Sequence, residues 1–305
     1  RVLPIGALTK NLEGEHLSEL VALRDAGCVA FTQGLNPMGS NRILRRALEY
    51  AATFDVPIIF TPLDPSLAEG GMAHEGPTAS RLGLVGIPES AETVALARDL
   101  LLIEQTGVRA HFSGLTSARA VDMLATAQAR GLPVTADVAA YQLLLCDEDL
   151  NGFSSLLHVM PPLRSAADRR ALREAVQSGV VQAIASHHRP HEPEAKRVPF
   201  AASAPGISSV EILLPLALTL VADGLLELPA LLSRLTTGPA AALNLQAGQL
   251  TLGGPADLTL FNPVQACEIG RNWLSRGANC PFIGQGAPAA VTHTLCNGKL
   301  VYQAN

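Results

Sequence analysis

Residues 108–138 decide the fold, because they hold one complete strand–helix–strand unit: VRAHFSGLTSARAVDMLATAQARGLPVTADV. The run at 108–113 predicts a buried strand. Ser117 is a good helix N-cap, and helical periodicity follows it. Arg130 and Gly131 form a helix stop, after which a second apolar run begins at once. This stretch is typical of a parallel α/β protein.

The same alternation extends outward in both directions. Continuous apolar runs such as 56–60 suit strands that are buried on both faces of a parallel sheet. The predicted strands are residues 2–8, 28–32, 57–61, 108–113, 133–138 and 181–186. The predicted helices are residues 14–26, 41–54, 90–106, 117–130 and 165–178, and residues 209–221 predict a further core or interface helix.

Six successive units predict a right-handed α/β fold. A closed (β/α)8 barrel needs eight strands. Two alternatives therefore remain: a barrel whose first two units are missing from this chain, or an open doubly wound sheet. No G-x-G-x-x-G turn follows a predicted strand, which argues against a dinucleotide site.

The pattern changes near Pro239, where short strands replace βα units. Residues 248–261 and 291–302 both predict hairpin strands with Gly or Asn turns. We therefore expect a barrel domain over 1–238 and a small β module over 239–305.

Composition limits the classes of function. Of the 305 residues, 48% are hydrophobic and 16% charged, which predicts a large core and excludes disorder. A net charge of −5 and 4% aromatic residues argue against nucleic-acid binding. There are five cysteines, an odd number, and none of them forms a C-x-x-C pair, which predicts a cytoplasmic protein. No apolar run is long enough to span a membrane, so we expect no membrane contact.

The polar residues near predicted strand ends show no catalytic spacing. We expect His111 to be a satisfied core histidine and Cys28 to be an inert thiol inside a strand. Asp64 and Asp137 are the acidic residues nearest strand ends, and nothing in their spacing places them together. Because neighbouring residues at a strand end point in opposite directions, His187 and His188 would not readily share one ion.

Several strings resemble the dihydroorotases of the amidohydrolase superfamily. They are Leu3-Pro-Ile-Gly-Ala-Leu-Thr-Lys10, Gly83-Leu-Val-Gly-Ile-Pro-Glu-Ser-Ala-Glu92, Pro161-Pro-Leu-Arg164, Gly254-Pro-Ala-Asp257, Asn279-Cys-Pro-Phe-Ile-Gly284 and Gly298-Lys299. The resemblance implies a TIM-type (β/α)8 metal-hydrolase barrel whose first βα units lie outside this chain. It also implies a β-sandwich, of which the C-terminal module would be half.

The resemblance further implies that the metal site is degenerate. The first-strand His-x-His has no counterpart, and uncharged or changed residues stand where the family has its ligands. These positions are Gln33, Gly34, Thr61, Gly114 and His187. Met160 stands in place of a substrate-binding asparagine, and His191 matches a histidine that holds the substrate, so it is a possible pocket remnant.

We therefore expect a pseudoenzyme with no catalytic residues, no metal and no cofactor. The resemblance implies that it is an inactive subunit that partners aspartate transcarbamoylase, as a homo-oligomer within a hetero-oligomer. One alternative is an active zinc-dependent dihydroorotase or cyclic-amide hydrolase that uses Asp64, His187, His188 and His191 as an unusual ligand set. A small-molecule binding module is the other alternative.

Overall fold

The computed structural model describes residues 2–270 and 273–304. Its strands are β1 (Ile5–Ala7), β2 (Ala30–Thr32), β3 (Ile58–Phe60), β4 (Ala73–His74), β5 (Gly86–Ile87), β6 (Ala110–Phe112), β7 (Val134–Ala139), β8 (Ala183–Ala185), β9 (Leu258–Asn262), β10 (Cys267–Glu268), β11 (Gly286–Ala287), β12 (Ala290–Cys296) and β13 (Lys299–Gln303). Its helices are α1 (Leu20–Asp25), α2 (Asn41–Thr53), α3 (Pro65–Ala68), α4 (Pro77–Leu82), α5 (Glu89–Thr106), α6 (Ala118–Ala129), α7 (Ala166–Ser178), α8 (Leu213–Ala222), α9 (Leu228–Leu235) and α10 (Thr237–Ala242).

A six-stranded parallel sheet organises the chain. Its order is β1-β2-β3-β6-β7-β8, so all six predicted strands are confirmed. The order follows the chain in one direction without the reversal that defines a doubly wound sheet, and this excludes the doubly wound alternative. The predicted absence of the first two units stays a prediction.

The core lies between this sheet and the inner faces of the helices. Phe31, Ile58 and Phe112 are fully buried on the strands, and Leu48 and Leu96 meet them from α2 and α5. Each such side chain contributes roughly 1.5–3 kcal/mol when it leaves water. Strands of a parallel sheet that are covered by helices are continuously apolar, and such runs identify them as buried strands in the sequence.

Four of the five predicted helices are confirmed within one residue at each end. Serine side chains cap three of them: Ser40 accepts from the Ile43 amide, Ser117 from that of Ala120 and Ser165 from that of Asp168. The helix predicted at 14–26 is wrong in its first half, since α1 begins only at Leu20. Gly14 has a positive φ of 79° and packs against the backbone at residues 37–39, which is incompatible with a helix there.

An excursion between β3 and α5 was not predicted. It contains α3, α4 and the two-stranded pair β4–β5. Each element is six residues or shorter, too short to show a hydrophobic period. Asp64 caps α3, its carboxylate accepting from the amides of Ser66 and Leu67.

The C-terminal residues form an antiparallel sheet in the order β13-β12-β9, beside the pair β10–β11. The hairpin at 291–302 is confirmed, with its turn at Asn297 and Gly298. The hairpin at 248–261 is wrong: only β9 is a strand, and it pairs with β12 across a long loop. The predicted domain limits stay a prediction. The helix α10 crosses residue 238 and contacts β7 and β8.

The apolar stretch at 209–221 is a core helix. A short 3-10 turn, Val210–Ile212, leads into α8, where Leu216, Leu218 and Leu220 are buried. In the described residues, no helix has both the length and the apolar character needed to cross a membrane.

Candidate functional site

The carboxyl ends of the parallel strands form the candidate site, since barrel enzymes carry their chemistry at this edge. Four of the positions implied by the resemblance lie here. Gln33 directly follows β2, Thr61 follows β3, Gly114 comes two residues after β6, and His187 comes two residues after β8. The topology therefore places these positions at one edge of the sheet.

A buried carboxylate is the centre of this edge. Asp137, near the end of β7, is 6% exposed and accepts three hydrogen bonds. Its Oδ1 accepts from Nε2 of His187 at 2.6 Å and from the Gly114 amide at 2.9 Å. Its Oδ2 accepts from Nε2 of His111 at 2.9 Å. Residues on or just after the two neighbouring strands, β6 and β8, thus converge on one side chain.

The prediction for His111 is confirmed. The ring is buried, and its two nitrogens face the Thr135 hydroxyl, at 2.8 Å from Nδ1, and Asp137. Because a carboxylate can only accept, Nε2 of His111 carries a proton, and Nδ1 is paired with the Thr135 hydroxyl. His111 therefore has no lone pair directed at an open space.

Asp137 and His187 each stabilise the charged form of the other. Burial acts to raise the pKa of Asp137, but the His187 charge and the hydrogen bonds from both imidazoles outweigh it, so its pKa lies far below the ordinary value. Burial acts to lower the pKa of His187, but the Asp137 charge and hydrogen bond raise it overall. Both shifts favour a carboxylate paired with an imidazolium.

Gly114 and His187 fit each other sterically. A Cβ at residue 114 would lie 2.8 Å from Cε1 of His187, and the φ of Gly114 is 75°. His187 itself has a positive φ of 46°, a conformation that His tolerates better than most residues. The imidazole of His187 thus occupies the space where a side chain at 114 would start.

Gln33 and Gly34 have structural roles at this edge. The Gln33 amide is buried; its Nε2 donates to the Leu12 carbonyl and its Oε1 accepts from the Thr9 hydroxyl. Gly34 adopts a positive φ of 60°, and its amide donates to the Thr32 hydroxyl. Gln33 therefore ties the end of β2 to the turn after β1.

The histidines of the proposed unusual ligand set are dispersed. Nδ1 of His188 accepts from the amides of Ser209 and Val210, whereas His187 faces Asp137, so the prediction that the two would diverge is confirmed. Nε2 of His191 lies 3.0 Å from the Pro205 carbonyl. Asp64 is engaged in capping α3.

Two other predicted residues also have defined places. Met160 precedes Pro161 in the segment before α7, with a cis peptide bond between them. Cys28 lies two residues before β2 and is only partly buried, so its placement inside a strand was wrong.

Sequence reasoning missed the convergence on Asp137. Its partners are 23 to 50 residues away along the chain. A usable signal was present: His111 and Asp137 are polar residues inside otherwise apolar strands that are adjacent in the sheet. Buried polar residues in such strands need partners, and the neighbouring strand is the nearest source.

A hydrolytic metal centre does not fit these residues. Metal ligation needs nitrogen or oxygen lone pairs directed at one point. Here Nε2 of both histidines donates to Asp137, so neither nitrogen has a lone pair to offer a metal. Across residues 2–270 and 273–304, no group of three or more His, Cys, Asp or Glu side chains could hold a metal ion.

The sequence profile of the Amidohydrolase family matches residues 21–301. That span is most of the chain, and it includes the six-stranded sheet from β2 onward and the whole candidate site. The chain belongs to the Amidohydrolase family.

Two curated relatives are similar over almost the whole chain. The chain is 67% identical over 303 residues to a dihydroorotase-like protein of Pseudomonas aeruginosa, covering 99% of this chain and 72% of that protein. It is 42% identical over 303 residues to a dihydroorotase of Syntrophus aciditrophicus, covering 99% of this chain and 71% of that protein.

Solved structures show the same fold. An L-hydantoinase (dihydropyrimidinase) from Arthrobacter aurescens superposes with a TM-score of 0.84 at 23% identity, over 99% of this chain and 70% of that one. A D-hydantoinase from a Thermus species gives 0.82 at 20% identity, over 95% and 68%. This likeness shows a TIM-barrel-like α/β fold.

Proposed function

We propose that this chain is a non-catalytic, dihydroorotase-like subunit of pyrimidine biosynthesis. The observation that carries the proposal is the Asp137 carboxylate, which is buried and accepts hydrogen bonds from His111, His187 and the Gly114 amide. The similarity to a dihydroorotase-like protein and to dihydroorotases supports the pathway.

The chemistry of this site argues against hydrolysis. Opening a cyclic amide needs an activated water and a polarised carbonyl. A carboxylate with a strongly lowered pKa is a poor base, and Asp137 is such a group. His187 is held as an imidazolium by the same carboxylate and has no lone pair on Nε2 with which to take a proton from water.

We further propose that the chain assembles in the cytoplasm with the catalytic chain of aspartate transcarbamoylase, as a homo-oligomer within a hetero-oligomer. The support is the likeness of its motifs to dihydroorotases together with the loss of the residues that would hold metal. A barrel of this kind keeps its outer helices as a docking surface whether or not its strand ends retain chemistry.

Metal analysis and turnover on one sample test the catalytic part of the proposal. We expect substoichiometric zinc after purification in zinc-supplemented medium, and no conversion of dihydroorotate or carbamoyl aspartate above buffer. The dihydroorotase of Syntrophus aciditrophicus, assayed in parallel, is the positive control. One zinc per chain with chelator-sensitive turnover would overturn the proposal.

A mixing experiment tests the assembly. The chain and aspartate transcarbamoylase are combined at micromolar concentrations, and light scattering and transferase activity are measured before and after. We expect a species heavier than either component and a rise in transferase activity. Unchanged mass and unchanged activity would contradict the partnership.

A further inference from the structure

A buried guanidinium binds the excursion between β3 and α5 to the rest of the molecule. Arg164 lies in the segment before α7, and its Nη1 donates to the Ile87 carbonyl on β5 at 2.8 Å. The same Nη1 lies 3.1 Å from Nδ1 of His74 on β4. His74 and Ile87 are register partners in the β4–β5 pair, so one nitrogen of Arg164 holds one residue of each strand.

The chemistry of this contact fixes the protonation state of His74. A guanidinium can only donate, so Nδ1 of His74 must accept and cannot carry a proton. The neutral ring therefore has its proton on Nε2. A second proton would have to go to Nδ1, opposite the guanidinium, where it would break the hydrogen bond and place two positive charges together. The contact therefore exists only while His74 is neutral.

Arg164 is held in place from its other side. Its Nε donates to the Thr116 hydroxyl at 3.1 Å, and that hydroxyl donates to the buried Glu92 side chain at 2.8 Å. Arg164 is buried, whereas His74 is only half-buried. The His74 ring is therefore the partner that solvent protons can reach and that can move away from the contact.

The excursion has little stability of its own. Its strands β4 and β5 have two residues each, and its helices α3 and α4 have four and six. Two-stranded pairs of this length are marginal in water, so local opening of the excursion depends on its contacts with other segments. One of these, from Arg81 on α4 to Asn151, is exposed. The excursion leaves the sheet at Thr61, on the edge that carries the candidate site, so its opening would alter the surface at that edge.

The charges around His74 favour the neutral ring. Burial lowers the pKa of His74, and the Arg164 charge lowers it further. Acids after β7, on α7 and at the start of α5 act in the opposite direction without reversing the shift: Asp147, Asp168 and Glu89. Glu75, next to His74 in the sequence, is exposed. Because the pKa of His74 is below its ordinary value of about 6.5, proton uptake at lower pH favours a form in which the ring has left Arg164.

We propose that His74 is a pH-sensitive switch for the excursion. At neutral pH the neutral imidazole accepts from Arg164, and the excursion is closed. As the pH falls below about 6.5, the imidazolium separates from the guanidinium, and the β4–β5 pair opens locally while the six-stranded sheet stays folded.

Hydrogen exchange measured by mass spectrometry tests the switch, with labelling times adjusted so that intrinsic exchange is matched at pH 7.5 and pH 5.0. A local readout is needed because the His187–Asp137 ion pair is strengthened in acid and would mask the effect in global unfolding. We expect amide protection across residues 72–87 to fall by at least about threefold at pH 5.0, relative to that of β6 and β7. His74→Asn keeps an acceptor oxygen in place of Nδ1 and cannot be protonated, so its protection should not depend on pH in this way.

His16→Asn is the matched control, because His16 is exposed in the segment after β1 and its replacement should leave the pH response in place. Nitrogen-15 labelling of the histidines supplies a second measurement on the unaltered chain. The signal that disappears in His74→Asn should show the tautomer with its proton on Nε2 at pH 7.5. The proposal is overturned if protection of residues 72–87 changes with pH no more than that of the sheet, if His74→Asn responds to pH as the unaltered chain does, or if His74 carries its proton on Nδ1.

Discussion

His187 provides a fixed counter-charge for Asp137 at the end of β8. Its imidazolium and the Asp137 carboxylate are 2.6 Å apart and partly or fully buried, where an ion pair needs good geometry to offset the loss of hydration. Asp137 receives this geometry from the strands on both sides of it, because His111 and the Gly114 amide also donate to its carboxylate.

The pair predicts a pH-dependent stability. His187 has a raised pKa, so its contribution is full below the ordinary histidine pKa of about 6.5 and is lost as pH rises through the raised value. Asp137 has a lowered pKa, so its contribution is present above about 3.9 and is lost only in strong acid. The stabilisation should be greatest near pH 5–6.

His187→Asn tests this prediction, because Asn tolerates a positive φ and removes the charge. We expect the free energy of unfolding to fall by about 2–4 kcal/mol at pH 5.5, and by less at pH 9. Urea unfolding at both pH values measures the difference. A loss that is equal at the two values, or larger at pH 9, would contradict the ion pair.

Gly114→Ala tests the steric fit with His187. The variant places a methyl 2.8 Å from the imidazole and forces alanine to a φ of 75°, so we expect a loss of about 2–4 kcal/mol. Gly34→Ala is the matched control: its φ is 60° with nothing within 4 Å, and it should cost only about 1–2 kcal/mol.

A double-mutant cycle separates the two causes. Adding His187→Asn to Gly114→Ala removes the ring, so the part of the loss that comes from overlap should disappear while the backbone part remains. If the two substitutions are simply additive in urea unfolding, the ring and residue 114 do not compete for space.

At the scale of elements, the first turn of α7 holds two helices together. Oδ2 of Asp168 accepts from the Ser165 amide in a capping box, and Oδ1 accepts from the Ala118 amide at the start of α6 at 2.9 Å. One carboxylate therefore satisfies donors at two helix N-termini, where negative charge is also favoured by the helix dipole.

Asp168→Ala should consequently cost more than the loss of a single cap. We expect about 2–3 kcal/mol, against about 1 kcal/mol for Ser40→Ala, which removes only the cap of α2. Thermal or urea unfolding of both variants measures the ratio. Equal losses would mean that the bond to Ala118 contributes nothing to stability.

At the scale of the whole molecule, a buried polar cluster joins segments that are distant in the sequence. Nη1 of Arg164 donates to the Ile87 carbonyl on β5, and its Nε donates to the Thr116 hydroxyl. Thr116 in turn donates to Glu92 on α5 from its hydroxyl and its amide. The cluster connects the β4–β5 excursion, α5 and the segment before α7.

Thr116→Val removes the shared hydroxyl and leaves the shape almost unchanged. Glu92 and Arg164 would each lose one hydrogen bond in a buried setting, so we expect a loss of about 2–4 kcal/mol. Thr126→Val, at an exposed position on α6, should change stability by no more than about 0.5 kcal/mol. Similar losses of unfolding free energy in the two variants would show that the buried cluster contributes no more to stability than an exposed hydroxyl.

Local sequence patterns were enough to predict the six parallel strands and four long helices. Their signals lie within a few residues of each element: an apolar run, a capping serine such as Ser117, or a stop such as Gly131. The resemblance to dihydroorotases also predicts that the ligand positions at Gln33, Thr61 and Gly114 are changed. These are properties that a short stretch of chain expresses by itself.

Only the tertiary structure decided which residues surround Asp137 at the strand ends. Asp137 finds His187 50 residues away because parallel strands bring their carboxyl ends together, and no local pattern encodes that meeting. The late start of α1 depends in the same way on Gly14 packing against residues 37–39, and the strand pairing of β9 depends on β12. In each case the deciding free energy comes from contacts between segments far apart in the chain, which override the local preferences visible in sequence.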